Sequence, residues 1–130
     1  MDGNVSATRI AAFGMRAQAD RLRHVSENIA NADTPGYRRK RVSFEAVMEH
    51  GRPAGLVRAS RPMFDRTELP EIYDPAHPMA DARGFHAGSN VDLVIEIADA
   101  REAARSYEAN LRVFEQSRQM SSSLLDLLRR

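Results

Sequence analysis

The stretch Ser26-Glu27-Asn28-Ile29-Ala30-Asn31-Ala32-Asp33-Thr34-Pro35-Gly36-Tyr37 decides how this chain folds. It begins in helix-forming residues and ends in turn formers. Pro35 drives Thr34 out of helical geometry. Thr34-Pro35-Gly36 then fits a type II turn, with Pro35 at i+1 and Gly36 at i+2. A helix entering from the N-terminal side has to stop near Ala32.

N-terminal to this stop, Asn4 to about Ala32 reads as one helix. Thr8, Met15, Leu22 and Ile29 recur every seven residues, and Ala11 and Val25 occupy the intervening positions, with Gln18 as a polar interruption. This is a heptad seam of about three repeats. It is only weakly apolar, so the helix is expected to be marginal alone and to order against a partner.

C-terminal to the stop, Tyr37 to Phe44 reads as an extended strand with imperfect alternation. The segment from about Gly51 to Ser89 contains Pro53, Pro62, Pro70, Pro75 and Pro78, which exclude a long helix. Extended pieces are expected at Leu56–Ala59, Glu68–Tyr73 and Gly84–Ala87, with a tight turn at Asp74-Pro75-Ala76-His77-Pro78.

From Asn90 onward the chain carries no proline or glycine. Asn90 reads as the N-cap, with Asp92 and Glu96 near the positive end of the helix dipole. Leu93, Ile97, Ala100, Ala104, Tyr107, Leu111 and Phe114 follow a 4-3-4-3 spacing, and Met120, Leu124 and Leu127 offer a second stripe. Such a helix is too long for a compact domain of this size. The fold expected is mainly α with a small β-rich middle. Its long N- and C-terminal helices form an antiparallel coiled-coil-like hairpin over a central extended segment. The divisions are 1–36 (helix and turn), 37–89 (middle) and 90–130 (C-terminal helix). Met15, Leu22 and Val25 are expected to meet Leu93, Ile97, Tyr107, Leu111 and Phe114 across the helix–helix interface.

Charge supports docking of the two halves. Residues 1–66 hold 12 basic and 7 acidic side chains, whereas residues 67–130 hold 7 and 11. Opposite balances favour one half packing on the other. The overall charge of +1 gives no case for nucleic acid binding. Arg38-Arg39-Lys40-Arg41 would alternate between strand faces and lacks interleaved aromatics, so it reads as a solvated or subunit-facing strand. The absence of cysteine excludes disulfides, thiolate metal sites and thiol nucleophiles. No phosphate-cradling or triad motif occurs. Asp74, His77, Asp81 and His86 have the residue types of a metal site, but their spacing favours turn hydrogen bonds. No basic n-region precedes an apolar run, so a cleaved signal peptide is not expected. Enzymatic activity and a cofactor are not expected either.

Several of these residues resemble the axial proteins of the bacterial flagellum. Ser26 to Tyr37 is similar to that family's signature at the end of its N-terminal helix. Asn90-Val91-Asp92-Leu93-Val94 through Arg105-Ser106-Tyr107-Glu108-Ala109-Asn110 is similar to its C-terminal element. Tyr73-Asp74-Pro75-Ala76-His77-Pro78 with Gly84-Phe85 resembles the proximal-rod members. The start at Met1-Asp2-Gly3-Asn4-Val5 departs from the hydrophobic start of many relatives. The resemblance implies a structural subunit of the proximal rod in the basal body. It would be exported by the flagellar type III apparatus and assembled in the periplasm into the shaft that transmits motor torque. Implied partners are further copies, FlgB, FlgF and FlgG types and a FliE-type adaptor. The resemblance makes Asn28, Ile29, Ala30, Asn31, Thr34, Pro35, Gly36 and Tyr37 an assembly motif. The competing reading is a soluble coiled-coil adaptor that binds a partner helix. A metal-dependent hydrolase using Asp74 and His77 is more distant.

Overall fold

The computed structural model describes residues 6–130, so the helix start assigned to Asn4 and the departure at Met1 to Val5 lie outside the described residues. Two helices frame three two-stranded β pieces. Helix α1 spans Ala7–Ala30 and α2 spans Leu93–Leu128. Between them lie β1 (Lys40–Arg41), β2 (Phe44–Glu49), β3 (Arg52–Ala59), β4 (Met63–Phe64), β5 (Glu71–Tyr73) and β6 (Phe85–Ala87). The antiparallel pairs are β1–β4, β2–β3 and β5–β6. The mainly helical class with a small β middle holds. Among the described residues, no helix is long and apolar enough to cross a membrane.

Both helices begin at side-chain caps. The Ser6 hydroxyl accepts from the Arg9 N–H at 3.1 Å. At α2 the cap is Asp92, whose carboxylate accepts from the Val94 N–H at 3.0 Å. Asn90, the expected cap, has its amide committed elsewhere, as described below. At 1.5 Å per residue, the 24 residues of α1 span about 36 Å and the 36 of α2 about 54 Å.

The helices run antiparallel. Asn28 contacts Glu96, Arg21 reaches Asp99 and Glu102, and Gly14 lies against Asn110. The facing stripes are therefore Gly14, Arg21, Asn28 on α1 and Glu96, Ala103, Asn110 on α2, each a seven-residue repeat. A Cβ built at Gly14 would come within 2.7 Å of the Asn110 Oδ1, so this crossing depends on the missing side chain. Residues of α2 beyond about Arg118 run past the described part of α1.

The strand expected over Tyr37–Phe44 is broken into β1 and the start of β2. The β2–β3 hairpin was not expected as a unit. His50 and Gly51 have φ of 54° and 75°, the two positive values required by a two-residue hairpin turn. The hairpin lies beside α1, where Val47, Val57 and Ala59 share a cleft with Phe13 and Ala17. Among the described residues the buried apolar side chains are few, and apart from Leu56 they are small: Ala11, Ala17, Val25 and Ala103.

Candidate assembly site

The motif Asn28 to Tyr37 closes the end of the helix pair. Its turn forms as the spacing predicts. The Tyr37 N–H donates to the Thr34 carbonyl at 3.1 Å, and Gly36 holds φ at 75°. The Thr34 hydroxyl donates to the Asn31 side-chain oxygen at 3.1 Å, and the Asn31 amide donates back to the Glu27 carbonyl at 2.9 Å. The Gly36 N–H reaches the carbonyls of Ala87 and Gly88, each at 3.2 Å, and so ties the turn to β6. Ile29 is half-buried and Ala30 is exposed.

Asn28 is fully buried and uses its whole hydrogen-bonding capacity. Its Nδ2 donates to the Lys40 carbonyl at 2.8 Å and to the Glu96 Oε2 at 3.3 Å. Its Oδ1 accepts from the Tyr37 hydroxyl and from the Lys40 N–H, both at 2.8 Å. One side chain thus joins α1, the segment after the turn and α2. Burial of an amide is tolerated where every polar atom finds a partner.

Glu96 is equally buried. Its Oε1 accepts from the Arg39 Nε at 2.6 Å. Arg39 also pairs with Asp65 at 3.1 Å and lies 3.9 Å from Asp99. Burial opposes the Arg39 charge, but the hydrogen bonds to Glu96 and Asp65 outweigh it and hold the guanidinium pKa above its ordinary value. Asp65 accepts from the Thr67 hydroxyl and N–H as well as from Arg39, and these bonds lower its pKa to about 2. The Tyr37 phenol is pushed up by burial and then by the nearby Glu27 and Glu96. A hydrogen bond from Lys40 lowers the Glu27 carboxyl.

Asn90 completes the junction. Its Oδ1 accepts from the Arg39 N–H at 2.7 Å, and its Nδ2 donates to the carbonyls of Asp65 and Thr67 at 3.0 and 3.1 Å. This is why Asp92 caps α2 instead.

The basic run, expected as a solvated or subunit-facing strand, makes contacts within the chain at three of its four members. Arg38 donates to the Asp65 and Thr67 carbonyls, Arg39 enters the junction, and Lys40 pairs with Glu27. Arg41 is the member left exposed.

The expected helix–helix residues divide into two sets. Val25 is buried, and Met15, Leu22, Leu111 and Phe114 are half-buried. Leu93, Ile97 and Tyr107 are exposed at 46%, 45% and 39%. The face of α2 that meets α1 is instead Glu96, Ala103, Asn110, rotated by about one residue. Glu96 must point inward to reach Arg39 and Asn28, and small residues allow the close crossing. The large side chains beside the contact flank an outer groove of about 550 Å³, lined by Ala19 and Leu22 of α1 and Ala104 and Tyr107 of α2.

Asp74, His77 and Asp81 lie in turns, whereas His86 lies on β6 with its Nδ1 buried and without a hydrogen-bond partner. The Asp81 carboxylate accepts from the N–H groups of Arg83 and Phe85, and the His77 Nδ1 accepts from the Met79 N–H. The rings of His77 and His86 stack at 4.0 Å. No group of three metal-ligating side chains occurs among the described residues.

Comparison with known proteins gives a consistent result along the chain. Residues 9–38 match the family model described as flagella basal body rod protein, and residues 82–127 match that of the flagellar basal body rod FlgEFG protein C-terminal region. The flagellar basal-body rod protein FlgC of Agrobacterium fabrum is 45% identical over 136 aligned residues, covering 99% of this chain and 98% of that relative. The FlgC protein of Salmonella typhimurium is 33% identical over 124 residues, covering 91% and 92%. That of Borreliella burgdorferi is 33% identical over 150 residues, covering 97% and 98%.

Proposed function

Because the chain belongs to the FlgC family of flagellar basal-body rod proteins, and is a structural subunit of that rod and not an enzyme, we propose that its paired terminal helices form the axial core of the proximal rod. Assembly with other rod components follows from the family. The finer reading assigns 1–36 and 90–130 to a coiled-coil-like hairpin and 37–89 to the part that decorates it. Neighbours would be FlgB, FlgF and FlgG types, a FliE-type adaptor and further copies. Delivery would be through the flagellar type III export apparatus, and the assembled shaft would carry motor torque.

One observation supports this most. The two helices pair through small and polar residues, which leaves Leu93, Ile97 and Tyr107 in solvent. A helix pair that has closed its own contact still carries a large apolar face, which fits packing against other subunits. The role of Asn28, Ile29, Ala30, Asn31, Thr34, Pro35, Gly36 and Tyr37 is then to fix the closed end of each hairpin, so that every subunit presents the same face. The few buried apolar residues agree with a chain whose order is completed in the assembly. The soluble adaptor reading has no support in the relatives, which are rod proteins along the full length of the chain.

The test is Ile97→Asp, expressed in a strain lacking the gene. The side chain is exposed, so the subunit should fold, remain soluble and fail to enter rods, with loss of motility. Normal rods and swimming from that variant would remove the apolar face from the assembly contact.

A further inference from the structure

A cavity of about 290 Å³ opens between α1, β1 and α2, beside the polar junction. That is near the small end of ligand pockets, which run from roughly 300 to 1,000 Å³. Its walls carry Arg21 and His24 from α1, Arg39, Lys40 and Arg41 from the chain around β1, and Asp99 from α2.

Ion pairs within the chain would account for such a cluster if they used all of its donors. They account for two members: the junction takes Arg39, and Glu27 holds Lys40 at 2.6 Å. The other three remain under-used. An arginine carries five N–H donors in a fixed fork. Among the described residues Arg21 engages Nη2 alone, at 3.4 Å from both Asp99 and Glu102, longer than an ordinary N–H···O bond. Arg41 is exposed and forms no ion pair among the described residues. The His24 Nδ1 is buried without a hydrogen-bond partner, since the Glu27 carboxylate stands 3.8 Å away. The Arg21 and His24 side chains are 19% and 12% exposed, so water reaches them poorly. Donors withdrawn from water and left unpaired are costly, and a hydrogen bond made to them there is stronger than one at the surface.

We propose that this cavity binds a single carboxylate, held by the forks of Arg21 and Arg41 with His24 beside them. Guanidinium groups match a planar oxyanion in geometry as well as in charge. Asp99, Glu27, Glu96 and Glu102 border the same cations, so the local charge is nearly balanced. The site therefore offers hydrogen bonds more than field strength, which favours a monoanion over a phosphate dianion. The carboxylate is either that of a small free acid or the side chain of an acidic residue on another polypeptide, and titration separates the two.

The full chain is titrated with sodium acetate while backbone amide NMR shifts are followed, with chloride holding the ionic strength constant. The amides of His24, Arg41 and Ser43 should shift saturably. Arg41→Glu should weaken acetate binding by about tenfold, the loss of one charge-assisted contact. Arg129→Glu, an exposed arginine at the far end of α2, should leave it unchanged. A blocked peptide with one glutamate forms the second arm. Binding several-fold tighter than acetate, and lost when glutamine replaces the glutamate, assigns the carboxylate to a side chain. Equal or weaker binding assigns it to a free acid. Inorganic phosphate binding more tightly than acetate would overturn the choice of a carboxylate. Shifts that do not saturate, that chloride alone reproduces, or that survive Arg41→Glu undiminished would overturn the site itself. The titration reads the isolated chain, so its failure leaves the rod reading intact.

Discussion

At one end of the helix pair, Asn28 and Glu96 are buried and hydrogen-bonded to each other, and the half-buried Arg39 pairs with Glu96. At the other end, Leu124, Leu127 and Leu128 stand in solvent. This inverts the usual placement of polar and apolar side chains. The polar end has a single satisfactory geometry, because each donor has one matching acceptor. It specifies which residues of the two helices face each other. The apolar end has no directional partner and gains from any surface that covers it. Register is thus set within the subunit, while the apolar surface remains for contacts between subunits.

The comparison breaks most decisively at Arg39. Arg39→Ala leaves the Glu96 carboxylate buried without its guanidinium, a change that typically costs about 3–5 kcal/mol. Much of the helical circular dichroism of the isolated chain should be lost near room temperature, since total stabilities of small domains are about 5–15 kcal/mol. Replacing both partners, as Arg39→Met with Glu96→Leu, should recover most of the loss. A melting curve for Arg39→Ala that overlays the parent would show that the polar junction does not hold the pair.

Gly14 gives the next largest effect. Alanine would gain about 1 kcal/mol of helix propensity at this position. Its Cβ would also press on Asn110, and such overpacking costs about 1–3 kcal/mol. The net result should be destabilisation by roughly 1 kcal/mol in urea titration. Adding Asn110→Ala should turn that loss into a gain. Additivity of the two changes would place the close crossing elsewhere.

Acid sharpens the same end. The Asp65 pKa is about 2, below its ordinary 3.8. A carboxylate depressed in the folded state contributes stability that is fully present above about pH 4 and lost as pH falls through about 2. The carboxylate is partly exposed, so screening limits the contribution to about 1 kcal/mol. Asp65→Asn should flatten the acid limb of the stability profile over that window. Parallel profiles for the two proteins would remove Asp65 from the junction's acid response.

What could be read in the sequence follows the range of the interactions. The Thr34 to Tyr37 turn and the long C-terminal helix depend on neighbours a few residues away, and both are legible from Pro35, Gly36 and the unbroken run after Asn90. The cap of α2 lies two residues beyond Asn90, because Asn90 and Asp92 are equally good caps locally. Arg39, Asp65 and Thr67, distant in the chain, draw the Asn90 amide away. Apolar periodicity keeps Val25 in the contact but sets the rest of the seam about one residue away from the observed one, for a related reason. Apolar periodicity rewards Met15, Leu22 and Leu93, whereas the contact is made by Gly14, Asn28 and Glu96. The available signal was a seven-residue repeat of small and polar residues, which hydrophobicity alone does not score. In the β2–β3 hairpin, Pro53 obscured the strand. His50-Gly51 between two extended runs was the cue.

The free end should give the smallest effect in the isolated subunit. Leu124 is 60% exposed and lies beyond the described part of α1, so Leu124→Asp removes little buried area and strands no polar partner. Its unfolding free energy should therefore stay within about 0.5 kcal/mol of the parent, the range of substitutions far from packed features. Leu111, half-buried beside the helix contact, should respond differently. Aspartate there places a charge against apolar neighbours and should cost several times as much. Urea midpoints for the two variants, measured with the full chain, separate the alternatives. Equal losses would mean that the C-terminal leucines already pack within one molecule, and the contrast between a locked end and an open end would disappear.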